Sequence, residues 1–193
     1  MRAKRAEFRT EVAELDVRDL VFVDESGIDT RMVRRYARAA PGERARGSAP
    51  FGRYARLTIV GGLCLEGLLA PMSSTAAMNT DLFLGYLDQV LIPELVEKKP
   101  GAVVVLDNLK PHLAAEVRTT LKTAGLRLLY LPPYSPDFAP IEQVWSKVKA
   151  LLRGAAARTH EALEAALAEM LDRITASDAR GWFAHCGYHL ALH

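Results

Sequence analysis

Cysteine is scarce: only Cys64 and Cys186 occur in 193 residues. Two thiols of this spacing exclude a disulfide framework and a cysteine-built zinc site, and fit a reducing cytoplasm. No apolar run approaches the ~18–20 residues that a membrane-spanning helix requires. The opening MRAKRAEFRTEV is charged throughout and lacks the apolar centre of a signal peptide. Neither an internal repeat nor a low-complexity tract is present. These absences lead to the expectation of a cytoplasmic globular protein with no membrane partner. Half of the residues are hydrophobic and 25% are charged, an ordinary composition for a chain able to bury its own core.

Lysine is missing from one otherwise basic stretch. Between Arg31 and Arg56 stand eight arginines (Arg31, Arg34, Arg35, Arg38, Arg44, Arg46, Arg53 and Arg56) against a single acid, Glu43. That stretch carries +7 and leaves −5 on the rest of a chain whose total is +2. A basic stripe on an acidic body is the footprint of a phosphate-backbone binder. Arginine, with its planar fork of donors, suits bidentate phosphate contacts better than lysine does. A merely solvated arginine loop is the plainer alternative.

The patterning alternates strands and helices. A short polar helix over Ala3 to Leu15 reads as a lead-in (residues 1–18), followed by one domain over 19–193. DLVFVD, Asp19 to Asp24, is an apolar run without alternation, as expected of a strand buried on both faces. Residues 26–56 then form a basic arm inserted after that strand, and long loops in compact domains are commonly functional. RLTIVGGLCL and GLLAPM make a hairpin turning at Glu66-Gly67. Asp81 to Val96 repeats leucines and aromatics at helical spacing, with Asn79 or Thr80 as its cap and Pro93 expected to kink or split it. AVVVLD and LRLLYL are further apolar strands, with a helix over Leu113 to Ala124 between them. The rigid PPYSPDFAP turn leads into a helix from Ile141 to Leu152. Thr159 caps a following helix, and Ser177 or Asp178 begins a last one through Trp182. The order predicts an α/β domain, a central sheet flanked by helices.

Two aspartates, Asp24 and Asp107, terminate buried apolar runs, where ligand-binding groups collect in open α/β sheets. Turn capping is the other reason for an aspartate there. Glu142 follows Pro140 in the first turn of a helix, where the dipole favours its ionised form. Three bare carboxylates in one cleft would repel one another and raise their pKa values. Hard cations such as Mg²⁺ or Mn²⁺ relieve that repulsion through oxygen ligands. Two ions, ~3.5–4 Å apart in sites of this chemistry, activate a water and stabilise the leaving oxygen of a phosphodiester.

The phrases LVFVDESGI, VVVLDNLKPH and LPPYSPDFAPIEQVWSKVK resemble the signature blocks of the IS630 insertion-sequence transposases, relatives of the mariner group. Thirty-four residues separate Asp107 from Glu142, the separation by which that group is labelled. The resemblance runs from about Leu20 through Lys149. It implies an RNase H-like fold, with Asp24, Asp107 and Glu142 as catalytic acids holding two Mg²⁺ or Mn²⁺ ions. It also implies cleavage at transposon ends followed by transfer of the freed 3′-OH into target DNA, with a homodimer pairing the ends. Family members carry an N-terminal helix-turn-helix region not seen here, which a split reading frame, a trimmed chain or a decayed copy would each explain; the first implies a separately encoded helix-turn-helix product as a partner. Two other readings stay open: a structure-specific endonuclease of the same fold, and a non-catalytic DNA-binding remnant.

Several residues are assigned on weaker grounds. Glu25 is expected to point away from Asp24 by strand alternation. His112 is a candidate for contact with DNA or an active-site water, with packing at a helix start as the alternative. Lys147 is a candidate phosphate contact, or part of a solvated face. Asp137 is expected to cap the turn before Pro140, and Trp145 to belong to the core with Ile141 and Val148.

Overall fold

The computed structural model describes residues 2–34, 36–52 and 54–190. Its centre is a five-stranded sheet of β1 (Leu20–Asp29), β2 (Arg56–Cys64), β3 (Gly67–Ser74), β4 (Val103–Leu106) and β5 (Arg127–Tyr130), in the order β3-β2-β1-β4-β5. The first three strands form an antiparallel meander, while β1–β4 and β4–β5 are parallel. The sheet is therefore mixed, and β1 is the strand at which its character changes.

The apolar runs of β1 and β4 are explained by two cores, one on each face. Leu20, Phe22, Val103 and Val105 pack on one side with α5 (Ile141–Ala155), α6 (His160–Leu171) and α7 (Ala176–His185). Val21, Val23, Val104 and Leu106 pack on the other with α2 (Thr80–Tyr86), α3 (Ile92–Lys98) and α4 (Ala115–Thr123). Successive strand residues serve opposite layers, so no polar alternation is possible.

Asn79 caps α2 by accepting from the Leu82 N–H at 2.8 Å, and Thr159 caps α6 by accepting from the Ala162 N–H at 3.1 Å. Between α2 and α3 the chain winds through a π-helical turn, Leu87–Leu91, after which α3 begins with Pro93 in its first turn. The wider turn accommodates a residue that can neither donate a backbone hydrogen bond nor tolerate an α-helical carbonyl beneath its ring. The last helix begins earlier than the sequence suggests, because Thr175 forms a reciprocal capping box with Asp178.

The lead-in helix, α1 (Arg2–Ala13), is packed rather than detached. Phe8 and Val12 are buried in the core beside α5, and Phe8 stacks on Phe138 with ring centroids 5.5 Å apart. The arm is shorter than expected at both ends, because residues 26–29 continue β1 and Arg56 opens β2. Its neck closes where the Thr30 N–H donates to the Ala55 carbonyl and the Ala55 N–H donates to Thr30 Oγ1, at 3.1 and 3.2 Å. No helix among the described residues is long and apolar enough to cross a membrane.

Candidate active site

Asp24 is not at the end of its strand. It lies midway along β1, paired across β2 with Gly61, while the parallel pairing of β1 with β4 stops at Phe22 and Val105. Strand β4 ends at Leu106, so β1 runs on without a neighbour on that side. The cleft opens there, with Asp107 immediately after β4. Asp24 follows the alternation of Phe22 toward the α5 side of the sheet, where its Oδ2 meets Trp145, and Asp107, just beyond β4, lines the same cavity.

Glu142 arrives from that side. The Pro140 backbone caps α5, so Glu142 is its second residue, at the positive end of the helix dipole. Asp24, Asp107 and Glu142 all line one cavity of about 450 Å³, walled by Phe22, Val105, Leu131, Pro132 and Ile141. Tyr134 stands at its rim, 87% exposed, in a left-handed conformation with φ of 54°.

The electrostatics of the cavity are unbalanced. Burial, followed by repulsion from Glu25, Glu142 and Asp107, pushes the Asp24 carboxyl up from 3.8 to about 7. A hydrogen bond with the Glu25 backbone works the other way, and Trp145 donates its Nε1–H to Asp24 Oδ2 at 3.0 Å. Among the described residues, no lysine or arginine pairs with Asp24, Asp107 or Glu142. No three His, Cys, Asp or Glu side chains of the described residues form a ready-made metal cage. The donor set nonetheless suits a hard cation that completes its shell with water and phosphate oxygens, as Mg²⁺ commonly does.

His112 has a place that the sequence did not reveal. It is fully buried, so the expectation of direct DNA contact gives way to an internal role. Its Nδ1 lies 2.6 Å from Asp107 Oδ1 and its Nε2 3.2 Å from Glu25 Oε2. The second separation is that of an ion pair without good hydrogen-bond geometry, and both atoms lack a hydrogen-bond partner. Burial works against the charged imidazole, but the flanking Asp107 and Glu25 outweigh it and raise its pKa from 6.5 to about 9. Glu25 does point away from Asp24, as alternation requires, and meets His112 on the opposite face. The five-residue step from Asp107 to His112 was the available clue; the contribution of Glu25 had none.

The basic residues divide. Arg31 pairs with Asp29 at 3.2 Å and covers the Tyr54 ring at 3.4 Å. The Arg56 guanidinium lies against Gly27, and that of Arg34 approaches Gly154. Arg38, Arg44 and Arg46 form no ion pair with a described residue, and Arg35 and Arg53 lie outside the described residues. Lys147 holds α7, donating to Asp178 Oδ2 at 2.6 Å and the Arg173 carbonyl at 3.0 Å. Asp137 sits in the turn before Pro140, where its carboxylate meets its own backbone N–H and also binds the Arg5 guanidinium. Trp145 is core, 2% exposed, though with a polar edge turned to the site.

The profile of the DDE superfamily endonuclease family matches residues 19–164. No curated protein sequence matches the chain. Among solved structures, the Mos1 transposase paired-end complex with left transposon end is similar at a TM-score of 0.76 and 19% identity, over 96% of this chain and 56% of that one. The Mos1 Strand Transfer Complex is similar at 0.72 and 21% identity, with the same coverage. The Mos1 transposase catalytic domain with Raltegravir and Mg is similar at 0.66 and 18% identity, over 96% of this chain and 86% of that one. The chain thus spans little more than half the length of the transposases in the first two complexes and most of that catalytic domain. The fold shared with these structures is that of the Mos1 transposase catalytic domain.

Proposed function

Because the chain belongs to the DDE superfamily endonucleases, we propose that it is the catalytic domain of a transposase. It cleaves phosphodiester bonds at transposon ends and transfers the resulting 3′-OH into target DNA. The observation that carries this reading is the convergence of Asp24, Asp107 and Glu142 on one cavity, from two adjacent strands and the start of a helix. The similar Mos1 complexes include ones with Mg and with Mn.

Asp24, Asp107 and Glu142 would hold divalent cations, Mg²⁺ or Mn²⁺, two per site. Bound there, the cations supply activation of a water or 3′-OH and stabilisation of the leaving oxygen. Neutralisation of Asp24, whose charge the fold disfavours, gives the protein its own reason to take up cations. Pro132 and Pro133, with Leu131 and Ile141, wall the cavity against bulk water. Trp145 holds Asp24 in place through its Nε1–H. The arginine-rich arm between β1 and β2 binds the DNA backbone. Two copies of the chain pair two ends, and a separately encoded helix-turn-helix product supplies end recognition. The setting is the cytoplasm, at the nucleoid.

The test is incubation of the purified chain with Mn²⁺, supercoiled plasmid and a duplex carrying a free 3′-OH. The expected result is plasmid nicking and covalent joining of the duplex, both absent in Asp107→Asn, with salt-sensitive DNA binding retained. Nicking without joining assigns the chain to structure-specific nucleases. Wild type as inert as Asp107→Asn, with binding intact, assigns it to non-catalytic DNA-binding proteins.

A further inference from the structure

Asp107 enters the cavity with one oxygen already committed. Its Oδ1 accepts the Leu109 N–H at 2.9 Å and faces His112 Nδ1 at 2.6 Å, while no described residue bonds Oδ2. The histidine that holds Oδ1 is itself held on every side. Its ring is fully buried, with the Phe83 ring centroid 4.3 Å away. Glu25 Oε2 stands 3.2 Å from its Nε2, and the Tyr130 hydroxyl donates to its backbone carbonyl at 2.7 Å. Packing alone would be served better by an apolar residue, since desolvating an imidazole and two carboxylates is costly. The arrangement instead resembles the outer-shell partners that fix ligand orientation at metal sites.

We propose that His112 is a positioning residue for cation binding: its Nδ1–H locks Asp107 through Oδ1 and keeps Oδ2 unencumbered for a divalent cation, while Glu25 fixes the ring from behind. The inference rests on the metal-dependent reading above and adds a residue to it. His112 touches neither DNA nor the reacting atoms.

Two conservative substitutions separate positioning from packing. His112→Asn keeps an amide N–H on the side of Nδ1, toward Asp107. His112→Gln carries its amide further out, toward Glu25, and loses the bond to Asp107. Mn²⁺ binding is measured by calorimetry on the whole chain without DNA, beside the melting temperature of each variant. The expected result is a Mn²⁺ dissociation constant raised ~10-fold or more in His112→Gln but held within about threefold of wild type in His112→Asn. Nicking by His112→Gln is restored by excess Mn²⁺, as a shift in metal requirement with an unchanged ceiling. Equal Mn²⁺ affinity in the two variants, whether both match wild type or both fall, overturns the inference while the metal reading stands. Wild type that binds no Mn²⁺ brings down both. Should neither variant fold, Tyr130→Phe frees only the His112 carbonyl; an unchanged Mn²⁺ constant there overturns the inference, and a raised one supports it.

Discussion

Trp145 donates its indole N–H to Asp24 Oδ2 at 3.0 Å, joining the buried face of α5 to the middle of β1. The same side chain fills the core and steadies a carboxylate that the protein would otherwise prefer protonated. Trp145→Phe keeps an aromatic ring but removes the donor. A hydrogen bond to a charged group is worth about 1.5–3 kcal/mol, so urea unfolding is expected to show a loss of that order. Initial cleavage rates are expected to drop roughly tenfold. Unchanged rates and midpoint would mean that the contact contributes packing alone.

Stability should depend on pH in two successive windows. Asp24 holds its proton more tightly in the fold than in the unfolded chain, since its pKa is raised from 3.8 to about 7. Its contribution is complete below 3.8 and is lost as pH rises through 7. His112, raised from 6.5 to about 9, contributes fully below 6.5, and that contribution is lost as pH rises through 9. Both slopes are downward. In EDTA, Asp24→Asn is expected to remove the first slope and His112→Asn the second, read from unfolding midpoints. Added Mg²⁺ should flatten only the first in wild type. Parallel profiles for wild type and Asp24→Asn would refute the assignment.

Arginines of the arm differ in availability. Arg31 is tied to Asp29 and Tyr54, whereas Arg38, Arg44 and Arg46 have no ion pair with a described residue. Replacing those three by alanine should weaken DNA binding and lower the slope of log affinity against log salt by about 0.9 per lost phosphate contact. The Mn²⁺ requirement for nicking should stay as in wild type. A slope identical to wild type would place the DNA contacts elsewhere.

Phe8, 5% exposed and stacked on Phe138, ties α1 to the turn preceding Glu142. The Arg5 guanidinium reinforces the tie, donating to Ser135 Oγ at 2.8 Å and to Asp137. Phe8→Ala is expected to cost about 3 kcal/mol, at the low end for a buried phenylalanine, visible as a lower unfolding midpoint. Mn²⁺ affinity should change little, because of these residues only Ser135 lines the cavity, and it is not one of the three acids that converge there. An unaltered midpoint would show α1 to be a passive lead-in.

The alternation of strands and helices, the two faces of β1 and β4, and the caps at Asn79 and Thr159 were legible in the amino-acid sequence. Each depends on residues within a few positions of one another, and helix and strand periodicity are local. Asp24, Asp107 and Glu142 stood out as candidates there too, each close to an apolar run or a proline that marks an element boundary, and the fold brings them to one cavity. Tertiary structure decided the rest. Strand β1 outruns β4, and only that difference in length makes Asp24 a mid-strand residue at an open cleft. His112 lies between Glu25 and Asp107 because the end of β4 comes alongside the middle of β1, with Phe83 packed on the imidazole. Trp145 meets Asp24 across 121 residues, and Arg5 meets Asp137 across 132. No periodicity encodes pairings at such separations; they exist because the sheet and its two cores bring the elements together.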